Sequence, residues 1–496
     1  MRQGYYEKIG SCFKSTDRLN RVTKTGSERN CCSQLFSSGD WTTFRFLSKI
    51  TLKRYLRFLS VKVACKCIRP MTTTILVLLS GLGLLLMGAG LLGTLLGVRA
   101  TIASFSNIET GLVMAGYYAG YLSGTLLVPG IIRNVGHIRA FATLTAVAAA
   151  SCLLFGLAVH PWTWFMLRAL SGLCVVGIYM VVESWLNEQS TGPARGRIFS
   201  IYMTSTLIAL GSSQFLLLIS DISGLQLFAY AAILISLGVV PIAVTRVTEP
   251  RIERMVPVKL DQLMRISPLG TVGVFSAGIM SGAFWAMAPV FGQRLALEEG
   301  EIALLMSATI FGGATLQWPI GRLSDLIDRR IVLTSSSFAA AMIAAVAAFI
   351  VIEGHPGLIL ASFVYGGLMF SLYGISVAHT HDHLEQGQVL EATRGLLFIF
   401  GFGALCGPLL GGVAMDSIGA VGLPLVSAAT AVILMLYGLY RMTKRAPTPI
   451  EGQTRFIPLV RTTPVSLEMH PDADPEPEFE LTWDAPEKTG AESDRI

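Results

Sequence analysis

Between residues 73 and 440 the chain alternates long apolar runs with short polar connections. Twelve runs stand out, at about 73–98, 108–132, 139–159, 162–186, 197–220, 226–246, 268–292, 300–320, 331–352, 357–380, 391–415 and 420–440. Each is close to the ~20 residues an α-helix needs to cross ~30 Å of hydrocarbon. Helices are predicted rather than strands, because backbone groups in lipid must be satisfied within the segment and these runs are too long for barrel strands.

Composition strengthens this picture. Of 496 residues, 52% are hydrophobic and 14% charged, and the mean hydropathy is +0.60. A soluble globular chain carries roughly 25% charged residues, so a water-soluble enzyme of this length is excluded, as is disorder over the bulk of the chain. The charge is uneven. Residues 1–70 hold fifteen Lys/Arg against four Asp/Glu, and residues 446–496 hold four against eleven. The core between them is near balance, so the overall +6 says nothing about nucleic acid.

The basic head shows no persistent periodicity and no signal-peptide run. It is expected to be disordered or an upstream extension of the reading frame, with the working start at Met71. The tail from Ala446 is rich in proline and acids and is expected to be disordered and cytoplasmic. Five of eight cysteines lie in the head, and Cys152, Cys174 and Cys406 sit singly in apolar runs, so no disulfide framework follows.

Orientation follows from the connections. With the N-terminus inside, the cytoplasmic loops and the C-terminal flank carry sixteen Lys/Arg, from Arg133 and Arg139 through Arg195, Arg197, Arg322, Arg329, Arg330 and Arg394 to Arg445. The outer loops carry Arg99 and Arg294 alone. That bias predicts twelve spans with both termini cytoplasmic. The longest and most charged internal connection, 247–267, divides the core into six-span halves, 71–246 and 268–441. The halves show a weak repeat. His160-Pro161 precedes His355-Pro356 by 195 residues, an offset that places Gly172 on Gly367, and the loop after span two precedes that after span eight by 192. Two parallel six-helix repeats place a substrate site between them, near the bilayer midplane.

The loop after span eight, Gly321-Arg-Leu-Ser-Asp325-Leu-Ile-Asp328-Arg329-Arg330, resembles the Gly-x-x-x-Asp-Arg-x-Gly-Arg-Arg signature of the major facilitator superfamily, with Leu326 and Asp328 departing from it. Its counterpart after span two is eroded, with Arg133 where the Asp is usual. Arg168-Ala-Leu-Ser-Gly172 in span four is similar to the family's Arg-x-x-Gln-Gly signature. The stretches Val182–Glu188 with Arg195-Gly196-Arg197, and Tyr373–His383, resemble an uncharacterised bacterial subgroup. The resemblance covers about 71–442 and implies an all-α membrane fold, with two pseudo-symmetric six-helix bundles and alternating access in a bacterial inner membrane. It also implies a gating role for Gly321, Asp325, Arg329 and Arg330, with Asp325 docking on the N-terminal end of a helix in the other half near Gly196.

Ionisable side chains inside a span are costly, ~2.5–3.5 kcal/mol each on insertion scales, and mark functional candidates. Arg168 lies about six residues into span four, and Tyr179 and Glu183 return to its face of the helix within ~60°. Arg168 is read either as a partner for an anionic substrate or proton transfer, or as a fixed charge bonded to helix carbonyls. Glu183 is the candidate proton carrier, since span one holds no Asp or Glu, and otherwise a partner for Arg195 or Arg197. Tyr117, Tyr121, Trp285, Gln317 and Tyr373 are candidate cavity residues, or packing and interfacial anchors. Glu188, Arg195, Arg197, Arg394 and the cluster His379, Asp382 and His383 are further gating candidates; zinc at His379/His383 lacks a further ligand, and no metal or cofactor is expected. No phosphate loop, nucleophile elbow or His-Glu-x-x-His occurs, which disfavours a primary pump and a membrane hydrolase. The chain is expected to be a monomeric, proton-coupled secondary transporter of a small organic solute. The alternatives are efflux of hydrophobic toxic compounds, and a non-transporting sensor or scaffold on a transporter fold.

Overall fold

The computed structural model describes residues 73–189, 195–244, 260–352, 357–384 and 388–445, with positions 449, 453 and 456. The basic head, the pair His355-Pro356, most of the 247–267 connection and most of the acidic tail lie outside the described residues. Among the described residues the architecture is helical throughout. The first six long helices are α1 (Thr73–Ile102), α2 (Asn107–Val135), α3 (His137–Leu157), α4 (Pro161–Gln189), α5 (Arg195–Ser213) and α6 (Gln226–Leu237). The second six are α7 (Pro268–Arg294), α8 (Glu299–Leu326), α9 (Arg329–Ile352), α10 (Leu358–His381), α11 (Val389–Ile418) and α12 (Gly422–Met442). Among the described residues eleven segments, counting the fifth span on to Ile219 and the sixth from Gln226 to Val244, are long and apolar enough to cross a membrane. The exception, α8, is as long as the others but begins Glu-Gly-Glu and ends near Arg322 and Asp325.

Local chemistry sets the ends. Ser106 caps α2 and Glu109 returns the bond to its backbone, which satisfies two N–H groups that the helix leaves open. Glu298 and Glu301 form the same reciprocal box at α8. The fifth span is not a single α-helix. After Ser213 it tightens into a 3-10 segment, Gln214–Ile219, where the Thr94 hydroxyl of α1 donates to the buried Gln214 side chain. The sixth span breaks at Gly238 and resumes as Val239–Val244. Within the connection between the halves, Leu260–Ile266 forms a short helix.

Since consecutive spans are antiparallel, the starts of α1, α3 and α5 share one end of the bundle, here the near end, and their C-termini share the far end. The pseudo-symmetry is carried by glycines at backbone crossings. An ideal Cβ on Gly120 of α2 would sit 1.8 Å from the Ala169 carbonyl oxygen of α4, and one on Gly172 would sit 2.0 Å from that of Tyr117. In the second half, Gly312 meets Phe363 at 1.9 Å and Gly366 meets Thr309 at 2.0 Å. The α2 pattern recurs in α8 after 192 residues and the α4 pattern in α10 after 194. Gly172 therefore corresponds to Gly366, one residue short of the 195-residue offset read from the sequence.

A further crossing is peculiar to the second half. Gly278 and Gly282 of α7 lie against the Phe400 and Ala404 carbonyls of α11, at 2.3 and 2.2 Å from an ideal Cβ. Gly403 and Gly407 return the contact to Phe275 and Ile279 at 2.3 and 2.4 Å. Between α1 and α5 the close approach is Gly90 on the Ser213 side chain, not backbone on backbone. The halves meet at the far end. There Arg294 Nε donates to Asn107 Oδ1 at 3.1 Å and the Ser307 hydroxyl to the Gly211 carbonyl at 3.1 Å. Close packing of Gly97 on Pro289 and of Gly111 on Pro408 accompanies these bonds.

Candidate functional site

A cleft with about 80 Å³ of space for water-sized molecules lies between the halves, walled by α1, α2, α4 and α5 on one side and α7, α10 and α11 on the other. Five sequence candidates meet at its wall: Tyr117, Arg168 and Tyr179 from the first half, Trp285 and Tyr373 from the second. Phe370, Phe400, Tyr118, Thr94 and Ser281 complete much of the remaining surface.

Arg168 is the charge in this setting. It is 7% exposed, and its guanidinium carbon lies 4.9 Å from the centre of the Tyr117 ring, on the face where cation–π attraction operates. Its Nη2 lies 3.2 Å from the Met114 sulfur, a weak acceptor. Tyr117 in turn packs on Tyr118 and Tyr121, with centroids 5.5 and 6.2 Å apart. Opposite, Trp285 lies edge-on to Phe284 and Phe370, and Tyr373 is 4.7 Å from Phe400. The site is thus an aromatic chamber with a cation in its first-half wall and hydroxyls at Thr94 and Ser281.

Three other candidates stand back from the wall. Glu183 is fully buried between α4 and α5, where the Tyr202 hydroxyl donates to its Oε1. The ~60° spread across the Arg168 face is enough to turn this carboxylate towards α5 while Tyr179 still faces the cavity. Tyr121 is buried beside Tyr117, and Gln317 is buried in α8, its Nε2 donating to the Phe370 carbonyl at 3.4 Å.

Most of the gating candidates gather at the near end of the second half. Arg329, 1% exposed, bridges Asp325 and Asp382 at 3.0 Å each, and the Asp382 side chain is equally buried. Arg330 pairs with Asp328 at 2.7 Å and donates to the Arg445 carbonyl at 2.6 Å, which ties the start of α9 to the end of α12. The Asp328 carboxyl is partly buried, which alone would raise its pKa. The side-chain and backbone bonds from Arg330 outweigh this and hold it below the usual carboxylate range. His379 and His383 lie 4.8 Å apart, ring to ring, and His383 Nδ1 contacts the His379 carbonyl at 2.8 Å. Burial first, then Arg445 and Arg330, push the His383 pKa down against the opposing pull of that carbonyl and Asp382. His381 Nε2 meets the Thr393 hydroxyl at 2.7 Å.

Asp325 contacts Arg329 and, through its Oδ1, the backbone N–H of Phe456 at 2.8 Å. Gly321 lies beneath the Phe456 ring. Arg394 is half-buried in α11, Glu188 and Arg197 are exposed on the first half, and Arg195 opens α5. The sequence reading missed Tyr202, Asn107 and Phe456. Each is an ordinary residue in an ordinary pattern, and only the neighbouring helix gives it a role.

A family profile described as the Major Facilitator Superfamily matches residues 270–471. Two relatives, each called "Uncharacterized MFS-type transporter YcaD", come from Salmonella arizonae and Escherichia fergusonii. Both are 27% identical over 383 residues, covering 76% of this chain and 98% of their own. Among solved structures, the nucleoside transporter NupG superposes with a TM-score of 0.61 at 15% identity, over 75% of this chain and 99% of its own. A bacterial homologue of the lysosomal transporter Spinster, inward-facing and unoccupied, gives 0.61 at 13% identity, over 78% and 99%.

Proposed function

We propose that this chain is a membrane transporter of the major facilitator type, whose central cavity carries a small, amphipathic organic anion across the bilayer by alternating access. The observation that supports the choice of cargo is Arg168. Its guanidinium stands in a wall made otherwise of aromatic, apolar and small polar side chains, where it offers charge-assisted hydrogen bonds to a carboxylate, sulfonate or phosphate entering the chamber. The aromatic surfaces on the opposite wall accept the apolar part of the same molecule.

The near end is assigned to the cytoplasm of a bacterial inner membrane, with both termini inside, on the strength of the arginine-rich connections there. Coupling to protons is assigned to Glu183, a fully buried carboxylate bonded to the Tyr202 hydroxyl at the α4–α5 contact. The chain is taken to work as a monomer, since its cavity is walled by both of its own halves.

The test is thermal unfolding of the purified full-length protein against a panel of aromatic and aliphatic organic acids, each beside its uncharged amide. A ligand at a hundredfold excess over its dissociation constant stabilises the folded state by about 2.7 kcal/mol. Acids should stabilise and amides should not, and Arg168→Ala should abolish the effect while keeping its own unfolding temperature. Equal stabilisation of wild type and Arg168→Ala would discard the anion reading and favour efflux of neutral hydrophobic compounds. A pH dependence of uptake that survives Glu183→Gln would remove Glu183 from coupling.

A further inference from the structure

Phe456 belongs to the acidic C-terminal stretch, yet it is 7% exposed. Its ring lies over two glycines at the near end, Gly321 of α8 and Gly374 of α10, where an ideal Cβ would stand 2.0 and 2.8 Å from ring atoms. Its N–H donates to Asp325 Oδ1 at 2.8 Å, the same oxygen that receives Arg329 Nη2 at 3.0 Å. An aromatic ring in a glycine-floored slot, with a backbone donor on a carboxylate at its rim, is a two-point recognition site.

This slot is not a by-product of the internal repeat. The 192-residue offset of α2 and α8 sets Gly321 and Asp325 against Pro129 and Arg133. The 194-residue offset of α4 and α10 sets Gly374 against Met180. In the first half a ring would therefore meet a pyrrolidine and a thioether side chain, and its N–H would face a guanidinium. The features that admit Phe456 are confined to the second half.

The slot also sits at a telling level. Helices α5 and α8 are neighbours across the halves, joined where Ser307 donates to the Gly211 carbonyl. Asp325 lies eighteen residues along α8 from Ser307, or ~27 Å, and the start of α5 at Gly196 lies fifteen residues from Gly211, or ~22 Å, both towards the near end. Asp325 and the start of α5 thus stand within ~5 Å of one height, about one helical turn, and closing the near end swings one towards the other.

We propose that the slot between α8 and α10 is a binding site for the chain's own C-terminal segment, with Phe456 as anchor, and that its occupancy holds the transporter with its near end open. The tail and near-end closure compete for Asp325, so leaving the slot is a step of each transport cycle. The consequence for cycling rests on the alternating-access reading. The contact itself does not.

Hydrogen exchange on the full-length protein in lipid nanodiscs tests both parts without a solute, so failure to find a cargo leaves these outcomes intact. Wild type is compared with Phe456→Ala, which leaves every side chain of the twelve helices in place, and with Gly374→Ala. The Gly374→Ala methyl would lie 2.8–3.0 Å from the ring, with its third-nearest neighbour, Gln317 Nε2, at 3.7 Å. In wild type, peptides spanning residue 456 should exchange about ten- to a hundredfold slower than an unstructured chain, the range expected for burying one aromatic side chain. Both variants should lose that protection, and far-end peptides around 97–111 and 289–294 should exchange faster, with the double variant no different from either single. Unprotected amides around 456 in wild type overturn the site. Protection that persists in Gly374→Ala does the same. Far-end exchange that ignores both variants overturns the coupling to conformation.

Discussion

Arg329 offers the sharpest numerical test of the near-end architecture. Its guanidinium reaches Asp382 and Asp325 at equal distances of 3.0 Å, but the two partners differ in exposure, 1% for Asp382 against 26% for Asp325. An ion pair open to water is worth ~0–1 kcal/mol, whereas removing one member of a buried pair costs about 3–5 kcal/mol because a desolvated charge is left behind. The Asp382 contact should therefore dominate. Arg329→Gln should lose about 3–5 kcal/mol and Asp382→Asn a similar amount, while Asp325→Asn should lose about 1 kcal/mol or less through this pair. The double variant Arg329→Gln/Asp382→Asn keeps neutral hydrogen-bonding groups in both places and should recover at least about 2 kcal/mol relative to the summed singles. Unfolding titrated with SDS in mixed micelles, on wild type and all four variants under one lipid condition, supplies the cycle and the Asp325 comparison. Additivity of the two single losses would refute the reasoning, as would an Asp325→Asn loss as large as that of Asp382→Asn.

Two further expectations follow from named contacts. Gly120→Ala and Gly312→Ala each drive a methyl to within 2 Å of a carbonyl oxygen on the partner helix, at 1.8 and 1.9 Å. Both should lower folded yield and stability by about 1–3 kcal/mol or more; Gly130→Ala, with nothing within 4 Å, should be neutral or up to ~1 kcal/mol more stable. The His383 pKa is depressed in the folded protein, where it faces His379, Asp382, Arg330, Arg441 and Arg445. Unfolding restores it towards about 6.5, so the unfolded chain holds the extra proton and stability falls as pH drops below about 6.5. His383→Gln should flatten that part of the pH–stability curve, and an unaltered slope would assign the acid sensitivity elsewhere.

The number and type of the helices were legible because lipid imposes a length and a composition that any reader of the chain can count. Even α8, the least apolar, was placed by the polar boundaries around 300–320. The Arg168 and Tyr179 face was legible for a similar reason, since helical periodicity relates residues on a single segment. What escaped depends on partners distant in sequence. Glu183 shares a face with Arg168 to within ~60°, and only the position of Tyr202, nineteen residues later, decides which way it turns. The repeat offset was misjudged by one at Gly172 because the apolar pattern tolerates a slip, whereas a backbone crossing that admits no Cβ does not. Phe456 was hidden within a stretch whose average composition is that of a solvated tail, and an average cannot reveal a single anchoring residue.

The α7–α11 crossing carries a mechanical consequence. Where side chains separate two helices, rotamers flex and absorb displacement. Where four glycines bring main chain against main chain, that cushioning is absent and a push on one helix is delivered to the other nearly undiminished. In the corresponding α1–α5 pair the Ser213 side chain stands between the helices at Gly90, so that pair keeps a cushion that α7–α11 lacks. A load placed on α7 is therefore shared with α11 at once, whereas α1 and α5 can slip past each other by a change of rotamer at Ser213.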